Sequence, residues 1–189
     1  MMLPEVGFYV RQLGRGYNRY MSRPIAIFGL PEEKFVNKVF SLRQKLLEEK
    51  KLEEAESTTL PHLTILVNTT LDDLVSNDFL IQKLTPLVSV LKHFSLTVTG
   101  FEKLDTSIIA KFDTGLTRKL VYQTSSVLPG FRAITTDFLK ILRRTVPTAT
   151  DEALETVKTE FKSEITIDRI CIAGGSLRRE DVIWTGKLG

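Results

Sequence analysis

The sequence predicts an α+β fold built from two similar lobes. Segments with apolar residues at helical spacing are interspersed with short runs in which apolar and polar residues alternate. The order helix, short loop, strand occurs twice, ending once at His62 and once near Phe138. No low-complexity segment or long linker separates the two blocks. We therefore expect antiparallel sheets on either side of a central cleft, with helices outside, and such a cleft is a common ligand site.

The first block contains two predicted strands and one helix. Residues 24–30 read as a buried strand, and Pro31 with the acidic pair after it suits a first helical turn. That helix is predicted to reach about Lys50, because its apolar residues recur at helical spacing. A strand containing His62 follows and ends near Asn68.

The remaining elements are predicted in the same way. Pro86 should kink or interrupt the first of these helices. A Gly174-Gly175-Ser176 hairpin turn should join the last two strands, since the stretch lacks the full pattern of a phosphate-binding loop. The predicted helices are 77–91, 115–127 and one starting at Thr150, and the strands are 94–101, 106–112, 138–144, 165–173 and 182–188.

Composition is that of an ordinary globular chain. Of the 189 residues, 42% are apolar and 26% charged, and the net charge of +3 is compatible with an anionic partner. No apolar run reaches the roughly 18 residues of a membrane helix, so no membrane association is predicted. The single cysteine, Cys171, lies in an apolar run and is predicted to be a core residue. It excludes an internal disulfide and favours a reducing, cytoplasmic location.

The N-terminal segment differs from the rest of the chain. Its arginines recur every four residues, and Glu5 is its single acid. We predict a basic N-terminal arm over residues 1–23, followed by one domain over 24–189. Two alternatives are an arm that binds nucleic acid and a mitochondrial import sequence, which is typically rich in arginine and poor in acids. The arginines in question are Arg11, Arg15, Arg19 and Arg23.

Pro61-His62-Leu63-Thr64 is the motif with the clearest chemistry. In a strand, His62 and Thr64 share one face while the leucine between them takes the other. An imidazole beside a hydroxyl can bind a phosphate ester and move protons at it. The alternative is a strand whose polar side simply meets water.

With these segments in this order, the chain resembles the 2H phosphoesterase superfamily, which includes bacterial RNA 2'-5' ligase / 2',3'-cyclic phosphodiesterase proteins. The resemblance covers about residues 24–188. It rests on the opening Ile-Ala-Ile-Phe-Gly-Leu-Pro strand with its helix, the His62 motif, the strand leading into Gly100-Phe101, and the closing strand pair.

The resemblance implies two His-x-Thr/Ser motifs, one in each lobe, facing each other across the cleft. Two imidazoles can exchange the roles of proton donor and acceptor, and the hydroxyls hold the phosphate, so neither a metal nor a cofactor is implied. The first motif corresponds to His62 and Thr64 as catalytic residues. The second position falls on Phe138 and Lys140, a phenylalanine in place of histidine and a lysine in place of threonine or serine.

Two residues could replace the missing histidine. His93 has serine two positions later, but it follows His62 by only 31 residues and is better read as a histidine near a helix C-terminus. Lys140 could bind phosphate, although an ordinary lysine pKa of about 10.4 makes it a poor acid. Phe138 would point to the same side as Lys140 and offer a face on which a base can stack.

The predicted function is the binding of RNA or nucleotide phosphodiesters, 2',3'-cyclic or 2'-5', in the cleft with impaired or lost catalysis. One alternative is an active, metal-independent phosphodiesterase that uses His62 with Lys140. Another is a structural subunit of an RNA-processing or ribonucleoprotein assembly that engages its partners through the basic arm. The predicted partner is therefore RNA or a nucleotide, with a protein assembly as the further possibility.

Overall fold

A computed structural model describes residues 22–54, 57–72, 75–175 and 177–189. Short 3-10 turns lie at Pro147–Ala149 and Arg179–Asp181. The strands and helices, in chain order, are β1 (Ser22–Pro31), α1 (Glu33–Glu48), β2 (Leu63–Asp72), α2 (Asn77–Val90), β3 (Phe94–Leu104), β4 (Ser107–Phe112), α3 (Gly115–Val127), β5 (Arg132–Ala133), β6 (Phe138–Leu142), α4 (Thr150–Glu160), β7 (Glu164–Gly174) and β8 (Val182–Lys187).

All strand pairs in the eight-stranded sheet are antiparallel. The strand order is β5-β2-β1-β7-β3-β4-β6, and β8 pairs with β7. Strand β3 takes part in both halves of the sheet. Its first four residues pair with β7, and the stretch from Val98 to Leu104 pairs with β4. The predicted α+β fold is confirmed, and the sheets of its two halves are continuous through β3.

Helix α1 begins two residues later than the sequence suggested. Pro31 remains in β1, where it pairs with Ile167. The Glu32 N–H donates to the Thr166 carbonyl, and the Arg169 guanidinium donates to the Pro31 carbonyl. These bonds hold the chain extended past the proline, so the first helical residue is Glu33.

Helix α2 continues across Pro86 to Val90, so the proline does not interrupt it. Pro86 is exposed, and a carbonyl that lacks its helical N–H partner can be solvated on such a face. Ser76 caps the first turn by accepting a hydrogen bond from the Phe79 N–H at 3.1 Å. The buried stripe of α2 consists of Leu80, Leu84 and Val88.

Two further boundaries differ from the sequence prediction. Strand β2 runs past Asn68 to Asp72, because Ser22 and the residue after it extend the pairing from β1. Strands β7 and β8 are not joined by a tight hairpin. A longer connection with the 3-10 turn intervenes, and its Leu177 carbonyl accepts a hydrogen bond from the Leu60 N–H.

Other predictions concern the core and the chain termini. Cys171 is fully buried, as predicted, and burial raises the pKa of its thiol. The arm predicted over residues 1–23 lies almost wholly outside the described residues and stays a prediction. Among the described helices, none combines the length and the apolar character needed to cross a lipid bilayer.

Gly186 in β8 lies under an aromatic ring and has no room for a side chain. A Cβ built on Gly186 would approach the Trp184 ring to 2.4 Å and a methyl group of Val88 to 2.8 Å. We expect Gly186→Ala to lower the free energy of unfolding by about 1–3 kcal/mol through overpacking, measured by urea denaturation. Gly100→Ala is the matched control, because a Cβ at Gly100 meets nothing within 4 Å. Equal stability of the two variants would contradict this packing.

Candidate functional site

One buried arginine joins strand β6 to the segment that precedes β2. Strands β2 and β6 are five inter-strand steps apart in the strand order, which in a flat sheet would separate them by about 24 Å. Nevertheless, the Arg43 guanidinium donates to the Ile141 carbonyl in β6 and to the Thr59 carbonyl, just before β2. One buried side chain thus joins the segment that leads into His62 to the strand that carries Lys140.

A second link to the end of β6 comes from the segment after α1. Leu52, after α1, forms a β-bridge with Thr145, after β6. The Val146 N–H donates to the Lys51 carbonyl at 2.9 Å, and the Glu53 N–H donates to the Arg144 carbonyl at 3.1 Å. The segment after α1 is thus fixed to the segment after β6.

His62 lies immediately before β2, and not within the strand as predicted, because the pairing with β1 begins at Leu63. Its neighbours set the orientation of its ring. The His62 Nδ1–H donates to the Leu60 carbonyl at 2.7 Å, because a carbonyl oxygen can only accept. The buried ring of Phe28 meets the imidazole edge-on, with 5.5 Å between ring centroids. These contacts leave Nε2 of the neutral ring with a lone pair that can accept a proton or a hydrogen bond.

Burial and three cations lower the pKa of His62 to about 4. Loss of hydration is the largest cause, because the half-buried ring is closely surrounded by protein. The positive charges of Arg143, Arg43 and Lys140 lower it further, and the Leu60 carbonyl opposes them. We call these three residues the cationic cluster. At neutral pH the imidazole is therefore uncharged and lies within the field of three cations.

Strand β6 carries the two residues predicted for the second half of the site. Leu139 and Ile141 are fully buried, whereas Phe138 and Lys140 are half-buried on the opposite face. Lys140 is close enough to His62 to affect its pKa, so the structure brings these two predicted site residues together. Phe138 shares the face of β6 with Lys140, which leaves a phenyl ring where the family resemblance implies an imidazole.

Thr64 is the second residue of β2 and is half-buried, opposite Phe28 in the ladder with β1. It follows His62 by two residues, as in the predicted motif. Its role in orienting a phosphate stays a prediction.

Sequence reasoning missed two members of the cationic cluster. If the strand continued beyond Leu142, alternation from Lys140 would turn Arg143 away from the cleft, but β6 ends at Leu142 and Arg144 has a positive φ of 49°. The alternation therefore does not extend to Arg143, whose charge reaches His62. Arg43 could have been found, because it occupies a position on the buried stripe of α1 between Val39 and Leu46.

His93 lies outside the candidate site. It is exposed, and both its main-chain N–H and its Nδ1 approach the Gly189 carbonyl at 3.0 Å. It adjoins a separate cavity of about 370 Å³ between the end of α2 and α3. It follows the C-terminal end of α2, as the sequence suggested, and the contact that fixes its ring comes from the Gly189 carbonyl.

No group of three histidine, cysteine or carboxylate side chains in the described part of the chain is arranged to hold a metal ion.

Removing one cation from the cluster should raise the pKa of His62. We expect the pKa of the imidazole in Arg143→Gln to be higher than in the wild-type protein, because a positive charge disfavours its protonated form. The measurement is an NMR pH titration of the His62 ring. Arg118→Gln is the control, because Arg118 is exposed on α3 and does not contribute to the pKa of His62. An unchanged titration of His62 in Arg143→Gln would contradict the assignment.

Comparison with known proteins finds solved structures with the same fold. No protein-family model matches the sequence, and no curated protein sequence is significantly similar to it. The structure of E. coli LigT with phosphate matches with a TM-score of 0.54 at 12% identity, covering 88% of this chain and 98% of LigT. The E. coli LigT complex with 3'-AMP matches with a TM-score of 0.50 at 13% identity, covering 89% and 95%. The fold that the resemblance to the 2H phosphoesterase superfamily implied is therefore confirmed.

Proposed function

We propose that the candidate site binds the phosphate of a nucleotide or an RNA phosphodiester, 2',3'-cyclic or 2'-5', and that its catalysis is impaired or lost. The observation that carries the proposal is the cationic cluster around a neutral imidazole. A protein of the same fold, E. coli LigT, has been solved with phosphate and with 3'-AMP, which supports a nucleotide as the ligand.

An anion would relieve the electrostatic cost of this arrangement. Three positive charges act on His62 and lower its pKa. A bound phosphate would pair with the Lys140 ammonium and the Arg143 guanidinium through charge-assisted hydrogen bonds, which are about twice as strong as neutral ones. The Nε2 lone pair would accept a hydrogen bond from a ribose hydroxyl or a protonated phosphate oxygen.

The same features argue against efficient turnover. Cleavage of a phosphodiester needs one group that takes a proton and another that gives one. With a pKa of about 4, His62 is protonated in only about one molecule per thousand at pH 7, so the free protein offers it as a base and not as an acid. Phe138 carries no proton to give, and losing one such partner costs about 10²- to 10⁴-fold in rate.

A second candidate function is an active, metal-independent phosphodiesterase. The observation that favours it is the proximity of Lys140 to His62. In that mechanism, the Nε2 of His62 accepts the proton of the attacking hydroxyl while the Lys140 ammonium gives a proton to the leaving oxygen. Thr64 would orient the phosphate in either function.

The test combines a binding assay with a turnover assay. We expect wild-type protein to bind 3'-AMP by isothermal titration calorimetry, and His62→Ala to bind at least about tenfold more weakly, which corresponds to about 1.4 kcal/mol. His93→Ala is the control, because the other histidine lies outside the site.

Three outcomes separate the candidate functions. Binding without hydrolysis of 2',3'-cyclic AMP or 2'-5'-linked oligonucleotides supports the binding function. Turnover that disappears in His62→Ala supports the enzyme. Neither binding nor turnover in the wild-type protein would overturn both.

A further inference from the structure

We propose that Arg43 is a positioning residue, whose guanidinium holds the main chain before His62 against β6 and so sets the gap between His62 and Lys140. The inference rests on the proposed function, because that gap is the place where the phosphate would bind. Arg43 does not touch the ligand in this proposal. It acts through the two main-chain segments that it joins.

The guanidinium uses all three of its nitrogens as donors in these contacts. Nε and Nη2 donate to the Ile141 carbonyl at 3.0 and 2.8 Å, and Nη1 donates to the Thr59 carbonyl. Arg43 is 1% exposed, so these bonds are shielded from competition with water. A planar fork with fixed donor directions can set the distance between two carbonyls in a way that a flexible ammonium cannot.

Both carbonyls belong to segments that carry the candidate site. Ile141 is the neighbour of Lys140 on β6, and Thr59 precedes His62 by three residues. Thr59 is also bridged to Arg178, and Leu60 bonds to the connection before β8. The segment before His62 is thus fixed on one side by this connection and on the other by Arg43.

The position of Arg43 on its helix supports a specific role. It lies on the buried stripe of α1 with Val39 and Leu46, where a leucine or methionine would pack without any charge having to be desolvated. Burying a guanidinium there is unfavourable unless its hydrogen bonds are satisfied with good geometry. Its charge also lowers the pKa of His62, so Arg43 affects both the placement and the protonation of that ring.

The variants separate the geometry of Arg43 from its charge. Arg43→Lys keeps the charge and loses the fork, whereas Arg43→Met loses both. Arg169→Lys is the matched control, because Arg169 is also mostly buried, donates to the Pro31 carbonyl and joins β7 to α1 through Glu33, yet its charge does not contribute to the pKa of His62.

Three readouts are measured on each variant. These are the affinity for 3'-AMP, the NOEs between the His62 ring and the side chains of β6, and thermal unfolding. We expect Arg43→Lys to bind 3'-AMP at least about tenfold more weakly, because small misplacements of a binding group cost about one to two orders of magnitude. Its His62 NOEs to β6 should weaken at the same time. Arg169→Lys should lose stability but keep wild-type affinity and NOEs.

Two further results make the proposal independent of variant folding and of the proposed function. In the wild-type protein, the Nε–H of Arg43 should exchange slowly with solvent, because it donates to the Ile141 carbonyl from a side chain that is 1% exposed. Rapid exchange of this proton would overturn the positioning role. If wild-type protein fails to bind 3'-AMP, the proposed function fails, and the NOEs of Arg43→Lys still decide the positioning role. Arg43→Lys with unchanged affinity and unchanged NOEs would overturn it.

Discussion

Placing a histidine at position 138 and a threonine at position 140 is expected to raise the hydrolysis of 2',3'-cyclic AMP by about 10²-fold or more over the wild-type rate. The double variant is Phe138→His with Lys140→Thr. Both positions lie on the half-buried face of β6 that carries Lys140 toward His62. The second imidazole would supply the proton donor that a phenyl ring cannot.

The replacement of Lys140 by threonine should also raise the rate of hydrolysis through the pKa of His62. Lys140 is one of the cations that lower the pKa of His62, so its replacement by threonine should raise that pKa toward the range useful for acid–base chemistry at neutral pH. The measurement is kcat/KM for 2',3'-cyclic AMP against pH.

The two single variants, and the double variant combined with His62→Ala, provide the controls for this experiment. Phe138→His alone tests the added imidazole, and Lys140→Thr alone tests the removed charge. The double variant combined with His62→Ala should return to the background rate. A folded double variant that binds 3'-AMP and still turns over no faster than wild type would contradict the account of why catalysis is impaired.

Acid should destabilise the protein through His62, by as much as about 3 kcal/mol between pH 6.5 and pH 4. The pKa of His62 is about 4 in the folded protein, against 6.5 for an unperturbed histidine. The unfolded state therefore binds a proton in this interval and the folded state does not. The stabilisation is complete above pH 6.5 and is lost as the pH falls through 4, at up to about 1.4 kcal/mol per pH unit.

The measurement is the free energy of unfolding in urea at several pH values between 7 and 4. His62→Gln should show a shallower loss than wild type over this interval, because glutamine does not titrate. His93→Gln controls for a histidine that lies outside the site and is exposed. Identical pH dependence in wild type and His62→Gln would contradict the low pKa of His62.

Most of the fold follows from the apolar pattern. The bounds of α3 at Gly115–Val127 and the start of α4 at Thr150 agree with the prediction, because their apolar residues recur at helical spacing. The errors lie where tertiary contacts overrode local signals. Pro31 remained extended because of its bonds to β7, and Asn68 did not end β2 because β1 continues to pair with it.

The candidate site could be predicted in part. His62 and Lys140 were identified from a short motif and from its expected repeat, and the structure brings them together. Arg43 and Arg143 were missed for different physical reasons. A charged residue on the apolar stripe of α1 is a visible signal, whereas the position of Arg143 depends on where β6 ends, which strand alternation cannot show.

An NMR pH titration of the His62 ring, with and without saturating 3'-AMP, tests the proposed phosphate site most directly. We expect a pKa near 4 in the free protein and a rise of at least about one unit with ligand, since a bound phosphate offsets the charges of the cationic cluster. A pKa near 6.5 in the free protein, or the same pKa with and without 3'-AMP, would contradict a cation-lined phosphate site at His62.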